Sequence, residues 1–416
     1  MKVVIVRRRT ITTGFVVEAQ SGVMSMRRMP FTVGVASALV MLGSAASGLA
    51  HGATPQKVSQ DYARAVALAQ ADLEAGRIAE ARQQLEATDK SLRSFEYEYL
   101  LARAGAAAPN GAAPDLVRTV GVPKVETRYG VLNEVERQLA FICRDGGVRV
   151  HDLNAPEALP KTVSHEGGGA IWSGAFSRDG KTFVAGHENG DVVVWDAKTW
   201  KIRVSVSLGE KWPVRELVVA PDGSAFVAEG KAALELWSLA NAKPNKVATV
   251  GERYNFGEGL AFSPQGDLIA TGGMFDIVLH DGKTGEKSKA MRHASYTMGL
   301  QFSPDGKRIA SAPRGNVNRF LAVFDIEEGK PLFNAGPFGN YVAGLAFTPD
   351  GKRVVATGPQ KDVRIFNAST GEVVLTLKRP DHTAHPAVSR DGRLLGWFES
   401  DGYRFIDLGK KREGSK

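Results

Sequence analysis

The sequence predicts an all-β fold, a seven-bladed β-propeller of four-stranded blades, preceded by a small α-helical hairpin. The first observation is a phrase that occurs six times between residues 177 and 392: a short apolar run, a small polar residue, Pro or Arg, Asp or Gln, then Gly. Its glycines lie 43, 43, 40, 45 and 41 residues apart. A period of about 40–45 residues is typical of propellers with four-stranded blades. The phrases are Ser177-Arg178-Asp179-Gly180, Ala220-Pro221-Asp222-Gly223, Ser263-Pro264-Gln265-Gly266, Ser303-Pro304-Asp305-Gly306, Thr348-Pro349-Asp350-Gly351 and Ser389-Arg390-Asp391-Gly392.

The residues around each phrase supply the second observation. In Ser303-Pro304-Asp305-Gly306, Ser favours the first position of a type I turn, Pro presets the second and Gly suits the fourth. On either side, as in residues 181–185 and 191–196, apolar and polar residues partly alternate, which half-buried strands require. Asn189-Gly190 joins those two runs and is a hairpin signal. Each repeat is therefore predicted to form three strands and a fourth, outer strand.

The chain ends supply the third observation. An eroded seventh copy lies upstream, with Glu136 aligned on Gly180. The last copy stops after its third strand, residues 403–408, whereas a spare strand-like run, residues 115–120, precedes the first copy. We expect this run to complete the last blade, because such closure removes exposed sheet edges. The propeller is therefore predicted to span residues 115–408.

On these repeats the chain resembles a bacterial WD-repeat protein. The family's dipeptide is intact as Trp195-Asp196. The family's buried network of His, Ser or Thr, Trp and Asp is incomplete in every blade; in the fifth, His293 and Ser311 match but Phe324 replaces Trp. The resemblance implies a propeller whose rim docks partner proteins. The equivalents of the dipeptide in the other blades are His151-Asp152, Trp237-Ser238, His280-Asp281, Phe324-Asp325, Phe366-Asn367 and Ile406-Asp407.

A helical module, residues 51–105, is predicted before the propeller. Apolar residues recur there at steps of three and four, and Gly76 separates two helices. The hairpin resembles one tetratricopeptide unit. A third helix, residues 92–104, begins with Phe95-Glu96-Tyr97-Glu98-Tyr99-Leu100, which resembles an aromatic element found before WD-repeat arrays in some bacterial kinase-linked proteins. Residues 106–114, rich in Ala, Gly and Pro, are predicted to be a linker.

The first 50 residues are predicted to be a leader. Arg27-Arg28 precede an uncharged stretch that ends in Ser47-Gly48-Leu49-Ala50, which suits a signal peptide cleaved after Ala50. Met24 or Met26 is an alternative start. The competing interpretation is an uncleaved membrane anchor, since the stretch is about 20 residues long. The prediction is a periplasmic or secreted protein, in contact with a membrane only if the leader is retained.

The charge distribution argues against a nucleic-acid partner. The formal net charge is +8, but residues 51–408 carry 43 basic and 43 acidic side chains. The excess belongs to the leader and to a basic tail, residues 409–416. The chain therefore lacks the overall basic character of a nucleic-acid-binding domain.

Motifs for catalysis are absent, and we expect neither enzymatic activity nor a metal or cofactor. The sequence has no phosphate-binding Gly-Lys-Ser/Thr loop, no Gly-x-Ser-x-Gly elbow and no zinc spacing of Cys or His. His382 and His385 form a pair without a nearby third ligand. The alternative is a propeller enzyme, a lactonase-like hydrolase or a quinoprotein-like oxidoreductase, with its site on the axis. It requires two or more acidic or His side chains from different blades at one mouth.

Aromatic residues near the start of the innermost strands supply the candidate partner-binding rim. Aromatic side chains at a rim anchor interfaces because they bury a large area with few rotatable bonds. The competing interpretation is that they fill the packing between blades. We therefore predict a non-catalytic interaction scaffold of the bacterial envelope that binds a protein partner, with a membrane-tethered extracytoplasmic sensor as a further alternative. The candidate rim residues are Trp172, Trp212, Phe256, Tyr296, Tyr341 and His382.

Overall fold

The computed structural model describes residues 55–106 and 116–408, apart from 124, 156–157, 210, 242, 253–258, 274, 294–295, 315–319, 337 and 339–340. The predicted leader, the basic tail and nearly all of the predicted linker lie outside the described residues. The helices and the propeller belong to one compact unit, Ala53–Lys416. In the described part of the chain, no helix has the length and apolar character needed to span a membrane.

The described strands form seven four-stranded antiparallel sheets, which confirms the predicted seven-bladed propeller. Within blades 1 to 6 the strands follow one another in chain order, from the first strand at the axis to the fourth at the outside. The strands of blades 1 to 3 are Thr127–Asn133, Gln138–Cys143, Gly147–Asp152 and Lys161–Ser164; Ile171–Phe176, Thr182–His187, Asp191–Asp196 and Ile202–Ser207; and Leu217–Val219, Ala225–Glu229, Ala233–Ser238 and Asn245–Glu252. Those of blades 4 to 6 are Leu260–Phe262, Leu268–Gly272, Asp276–Asp281 and Lys287–Arg292; Tyr296–Phe302, Arg308–Arg314, Leu321–Asp325 and Lys330–Ala335; and Gly344–Phe347, Arg353–Thr357, Asp362–Asn367 and Val373–Lys378.

Blade 7 is completed by a strand from the other end of the propeller, as predicted. Its first three strands are Ala384–Val388, Leu394–Glu399 and Gly402–Asp407, and its fourth is Val117–Gly121. The register runs from Val117 opposite Ile406 to Gly121 opposite Gly402. Val120 is buried in a cluster that includes Leu139 of blade 1 and Phe405 of blade 7. The closing strand therefore joins two blades through apolar packing as well as through backbone hydrogen bonds.

The repeated phrase forms the turn that the sequence predicts. In Ser177-Arg178-Asp179-Gly180 the backbone N–H of Gly180 donates to the carbonyl of Ser177 at 2.9 Å. The Ser177 hydroxyl donates to the Asp179 carboxylate at 2.6 Å and accepts from the N–H of Thr182 at 3.0 Å. Gly180 has a φ of 75°, a left-handed conformation that costs glycine little. The turn is therefore specified locally by its own side chains.

From residue 55 onward, where it is described, the helical module contains three helices, α1 (Pro55–Glu74), α2 (Ile78–Glu86) and α3 (Phe95–Ala106). The third helix begins later than predicted, because residues Lys90–Leu92 form a short 3-10 turn. The Asp89 side chain caps that turn by accepting from the N–H of Ser91. The buried stripe of α1 joins the core of blades 6 and 7, so the module packs on the propeller instead of standing apart from it.

A buried ion pair fastens α3 to blade 6. Glu96 on α3 and Arg353 at the start of the second strand of blade 6 have side chains that are 0% and 2% exposed. One carboxylate oxygen of Glu96 accepts from Arg353 Nη2 at 2.5 Å and from Tyr62 Oη at 2.6 Å. Burial, and then the Glu96 carboxylate, raise the pKa of Tyr62 well above its ordinary value. The phenol therefore stays protonated and serves as a donor.

Candidate interaction face

Two faces of the propeller can be distinguished from the course of the strands. The residues that precede each first strand, and the hairpins between second and third strands, lie on one side, here called the rim face. The repeated turn phrases lie on the opposite side, here called the turn face. The described partner-binding residues of the prediction belong to the rim face because they lie at or before the start of a first strand.

The structure describes five of the six predicted rim residues, and these five belong to five different blades. Trp172 lies on the first strand of blade 2, and Trp212 lies just before that of blade 3; both side chains are half-buried. Tyr341, before blade 6, is half-buried, and His382, before blade 7, is exposed. Phe256 and the side chain of Tyr296 lie outside the described residues.

Trp172 and Trp212 are brought together by an arginine. The guanidinium carbon of Arg215 lies 5.3 Å from the ring centroid of Trp172 and 5.3 Å from that of Trp212. Arg128 of blade 1 lies over the Trp172 ring at 3.5 Å, and Arg144 lies 5.7 Å from it. Cation–π contacts of this kind are worth about 0.5–2 kcal/mol each, depending on desolvation. We call Arg128, Arg144 and Arg215 the arginine cluster.

The arginine cluster concentrates positive charge on a partly desolvated surface. Nε and Nη2 of Arg128 and Nε1 of Trp172 are buried and have no hydrogen-bond acceptor among the described residues. Burial, and then the charge of Arg144, lower the pKa of Arg128 below its ordinary value. Arg144 pairs with Glu126 at 2.9 Å; the first side chain is about half exposed and the second is largely exposed. The surface therefore offers more buried donors than acceptors.

Sequence reasoning missed the three arginines, although a signal for two of them was present. Arg128, Trp172 and Arg215 each lie eight residues before the residue that ends the turn of their blade, Glu136, Gly180 and Gly223. They therefore occupy equivalent positions in three adjacent blades. This register does not emerge from the aromatic residues alone. It emerges when the residues eight positions before the end of each turn are compared between blades. Arg144 lies in the hairpin of blade 1 and has no such signal.

A cavity of about 280 Å³ lies on the axis beside the turn face, lined by residues from all seven blades. Four blades present the prolines of their turn phrases to it, whereas blades 7, 1 and 2 present Arg390, Glu134 and Arg178. The propeller-enzyme alternative requires two or more acidic or His side chains from different blades at one mouth. The lining of this cavity has one carboxylate beside two guanidinium groups. In the described ranges, no cluster of three or more His, Cys, Asp or Glu side chains could hold a metal ion.

The comparison with known families identifies one repeat. Residues 159–196 match the family model "WD domain, G-beta repeat". Blade 2 carries a WD repeat. The match starts before the fourth strand of blade 1 and ends with the third strand of blade 2, so the sequence repeat is offset from the blade by one strand. The ring closure between Val117–Gly121 and Gly402–Asp407 has the same offset.

Curated relatives match part of the chain. The serine-threonine kinase receptor-associated protein of Mus musculus is 26% identical over 189 residues, 45% of this chain and 51% of that protein. WD repeat-containing protein 1 of Mus musculus is 27% identical over 207 residues, 44% of this chain and 32% of that protein. The chain thus spans about half the length of the first of these relatives and about a third of the second. Both are animal proteins, and the bacterial origin suggested by the sequence stays a prediction.

Solved structures support the fold. A chain of the crystal structure of the Mitotic Checkpoint Complex superposes with a TM-score of 0.61 at 16% identity, covering 70% of this chain and 91% of that one. The β-propeller domain of Myceliophteria thermophila Cps50 (Swd1) superposes with a TM-score of 0.59 at 15% identity, covering 70% of this chain and all of that one. At this identity the likeness shows the propeller architecture alone.

Proposed function

We propose that this chain is a non-catalytic protein-interaction scaffold whose rim face docks a partner protein at Trp172 and Trp212. The observation that carries the proposal is the pair of half-buried indoles from adjacent blades, with Arg215 within 5.3 Å of both rings. Trp and Arg are the residue types most enriched at the energetic centres of protein interfaces. The name of one related protein, a receptor-associated protein, describes a molecule that associates with another and lends the proposal further support.

The competing interpretation is that these aromatic residues fill the packing between blades, but a tryptophan with a packing role looks different in this molecule. Trp200 is buried, and its ring lies 5.9 Å from that of Phe176 and 5.2 Å from that of Phe183. Its neighbours are apolar rings of the same blade. Trp172, in contrast, is half-buried and is surrounded by guanidinium groups. A partly exposed Trp side chain among Arg side chains is typical of a surface that contacts another molecule.

The proposal is tested with three tryptophan substitutions. The partner is first isolated with the wild-type protein, and its Kd is then measured for Trp172→Ala, Trp212→Ala and Trp200→Ala. Loss of an interface anchor costs roughly 2 kcal/mol, so we expect the first two variants to bind about thirtyfold more weakly with little change in Tm. We expect Trp200→Ala to lower stability by about 3–5 kcal/mol and to keep the affinity of its folded fraction. A large fall in Tm with unchanged affinity for Trp172→Ala and Trp212→Ala would show that they pack the blades.

The same proposal places the scaffold in the bacterial envelope. Its support is the sequence of residues 1–50, a basic pair followed by an uncharged stretch that ends in small residues. If the leader is cleaved after Ala50, intact-mass measurement of the exported protein finds a chain that starts at His51. Full-length chain in the membrane pellet would favour the anchor, and with it the tethered sensor. Full-length chain in the cytosol would contradict the envelope location.

A further inference from the structure

We infer that the partner segment docked on the rim face is acidic, and that its Asp or Glu carboxylates bind at the arginine cluster beside Trp172. The inference rests on the docking role proposed above and names the chemistry of the partner. Its basis is the meeting of Arg128, Arg144 and Arg215 around a single indole ring, at 3.5, 5.7 and 5.3 Å from the ring centroid.

The charges around the cluster leave it net positive. Arg144 pairs with Glu126, but their side chains are 46% and 66% exposed, so the pair is weak and can exchange for another carboxylate. Glu216 follows Arg215 in the chain, and the exposed Lys211 precedes Trp212 and adds a further positive charge. In the described part of the chain, the three arginines of the cluster have one carboxylate ion-pair partner, Glu126, so positive charge is in excess there. An approaching carboxylate therefore gains from the charge of the whole surface as well as from its direct contact.

The stacking geometry suits carboxylate binding. A guanidinium group that lies over an aromatic ring keeps its N–H edge available, and that edge matches the two oxygens of a carboxylate. Arg215 is exposed, and Arg144 is close to half exposed, so both can be reached from solvent. Arg128 lies deeper, with buried donors that have no acceptor in the described part of the chain. Its desolvated charge is offset when a carboxylate binds to the two arginines nearer the surface, because charges interact more strongly where water is excluded.

The extent of the positive surface favours a short acidic segment over nucleic acid. Nucleic acid is held by many phosphate contacts along a groove or face, and such domains carry a clear excess of basic residues. Residues 51–408 carry equal numbers of basic and acidic side chains, 43 of each. The positive charge here is a cluster on blades 1 to 3, flanked by two indoles. A partner segment with a few acidic residues next to an apolar one matches that arrangement.

The inference is tested with peptide probes. Binding of fluorescein-labelled hexaglutamate is measured by anisotropy, with hexaglutamine as the uncharged control and a twelve-nucleotide single-stranded DNA as the third probe. The variants are the double substitution Arg144→Gln with Arg215→Gln, and Arg390→Gln, which removes one positive charge from the turn face. Charge-assisted hydrogen bonds are worth more than neutral ones, so we expect the double variant to bind hexaglutamate at least about tenfold more weakly. We expect Arg390→Gln to bind like the wild type, and the affinity to fall as salt is added.

Several outcomes would overturn the inference: no preference for hexaglutamate over hexaglutamine, equal binding by the double variant and Arg390→Gln, or tighter binding of the DNA. An unchanged Tm of the double variant would show that its weaker binding of hexaglutamate does not result from unfolding.

Measurements with the isolated partner distinguish this inference from the docking role. If Trp172→Ala and Trp212→Ala lose the partner while the double arginine variant keeps it, the docking role stands and the acidic partner is wrong. If the Trp variants keep the partner while hexaglutamate still requires the arginines, the docking role fails and the acidic-ligand site remains.

Discussion

His151 shows how a departure from the repeat pattern affects stability. It lies on the third strand of blade 1, where blades 5 and 6 have Phe324 and Phe366. The ring is buried, neither nitrogen has a hydrogen-bond partner in the described part of the chain, and its edge meets Phe141 at a centroid distance of 5.4 Å. Burial lowers the pKa of His151 below its ordinary 6.5. The imidazole therefore packs as a neutral aromatic ring.

The lowered pKa predicts a loss of stability in acid. Above the ordinary pKa of 6.5 the ring is neutral in both the folded and unfolded states; below it the unfolded chain takes up the proton first, so stability falls as pH falls. Burial lowers the pKa of His187 and His280 in the same direction. We expect His151→Phe to flatten the fall in Tm between roughly pH 7 and 5, because Phe has no proton to gain.

Thermal unfolding across this pH range checks the prediction. His382→Phe is the matched control, because the His382 side chain is exposed and the substitution is the same. Equal pH profiles for His151→Phe and the wild type would show that the buried ring does not contribute to acid sensitivity.

At the scale of elements, the contacts of α3 explain the run of alternating aromatic and acidic residues at its start. Phe95, Tyr97 and Tyr99 are buried in the shared core of the module and blades 6 and 7. Glu96 points inward as well and meets Arg353, whereas Glu98 is 47% exposed and lies 3.7 Å from Arg393. The run therefore forms the contact surface between the module and the propeller, and the two glutamates have different roles.

The two glutamates allow a matched experiment. Glu96→Gln leaves the buried Arg353 guanidinium without its counter-charge, and we expect a loss of about 3–5 kcal/mol of stability. Glu98→Gln removes a half-exposed carboxylate that lies 3.7 Å from Arg393, and it is expected to cost about 1 kcal/mol or less. Replacing Glu96 and Arg353 together by Met should recover part of the loss, since it leaves no unpaired buried charge, although the Tyr62 hydroxyl loses its acceptor. Chemical denaturation measures all three variants; similar losses for Glu96→Gln and Glu98→Gln would contradict the anchoring role.

At the scale of the whole molecule, the ring is held closed by Val117–Gly121, whose pairing strand, Gly402–Asp407, lies more than 280 residues further along the chain. On the closing strand, Val120 is buried between blades 1 and 7, while the adjacent Thr119 is exposed. Closure is therefore a long-range contact, and it forms only when both ends of the propeller are in place.

The closing strand can be tested at those two adjacent positions. Val120→Asp places a carboxylate in an apolar core, and we expect it to cost roughly 3 kcal/mol or more and to speed hydrogen exchange in Gly402–Asp407. Thr119→Asp puts the same group on the exposed side and is expected to change stability by about 0.5 kcal/mol or less. Equal exchange rates in the two variants would mean that the propeller does not depend on this closure.

The candidate site was predictable only in part. The register of the repeats identified Trp172 and Trp212 as residues at the start of innermost strands, but it said nothing about which side chains approach them. The contacts with Arg128 and Arg215 depend on the distance between neighbouring blades and on side-chain orientation. Both arginines share the register of Trp172, so their proximity follows from the repeat once the blade spacing is known.

Blade number, strand order, turn conformation and ring closure were determined by the sequence itself. The reason is that each depends on short, repeated patterns: a locally bonded turn such as Ser177-Arg178-Asp179-Gly180, alternation along strands, and a count of strands at the two ends. The docking of the helical module and the assembly of the arginine cluster were decided only in the tertiary structure. Glu96 and Arg353 are 257 residues apart and belong to elements with no common repeat. No local pattern brings such residues together, because their contact is selected by the packing of the completed propeller.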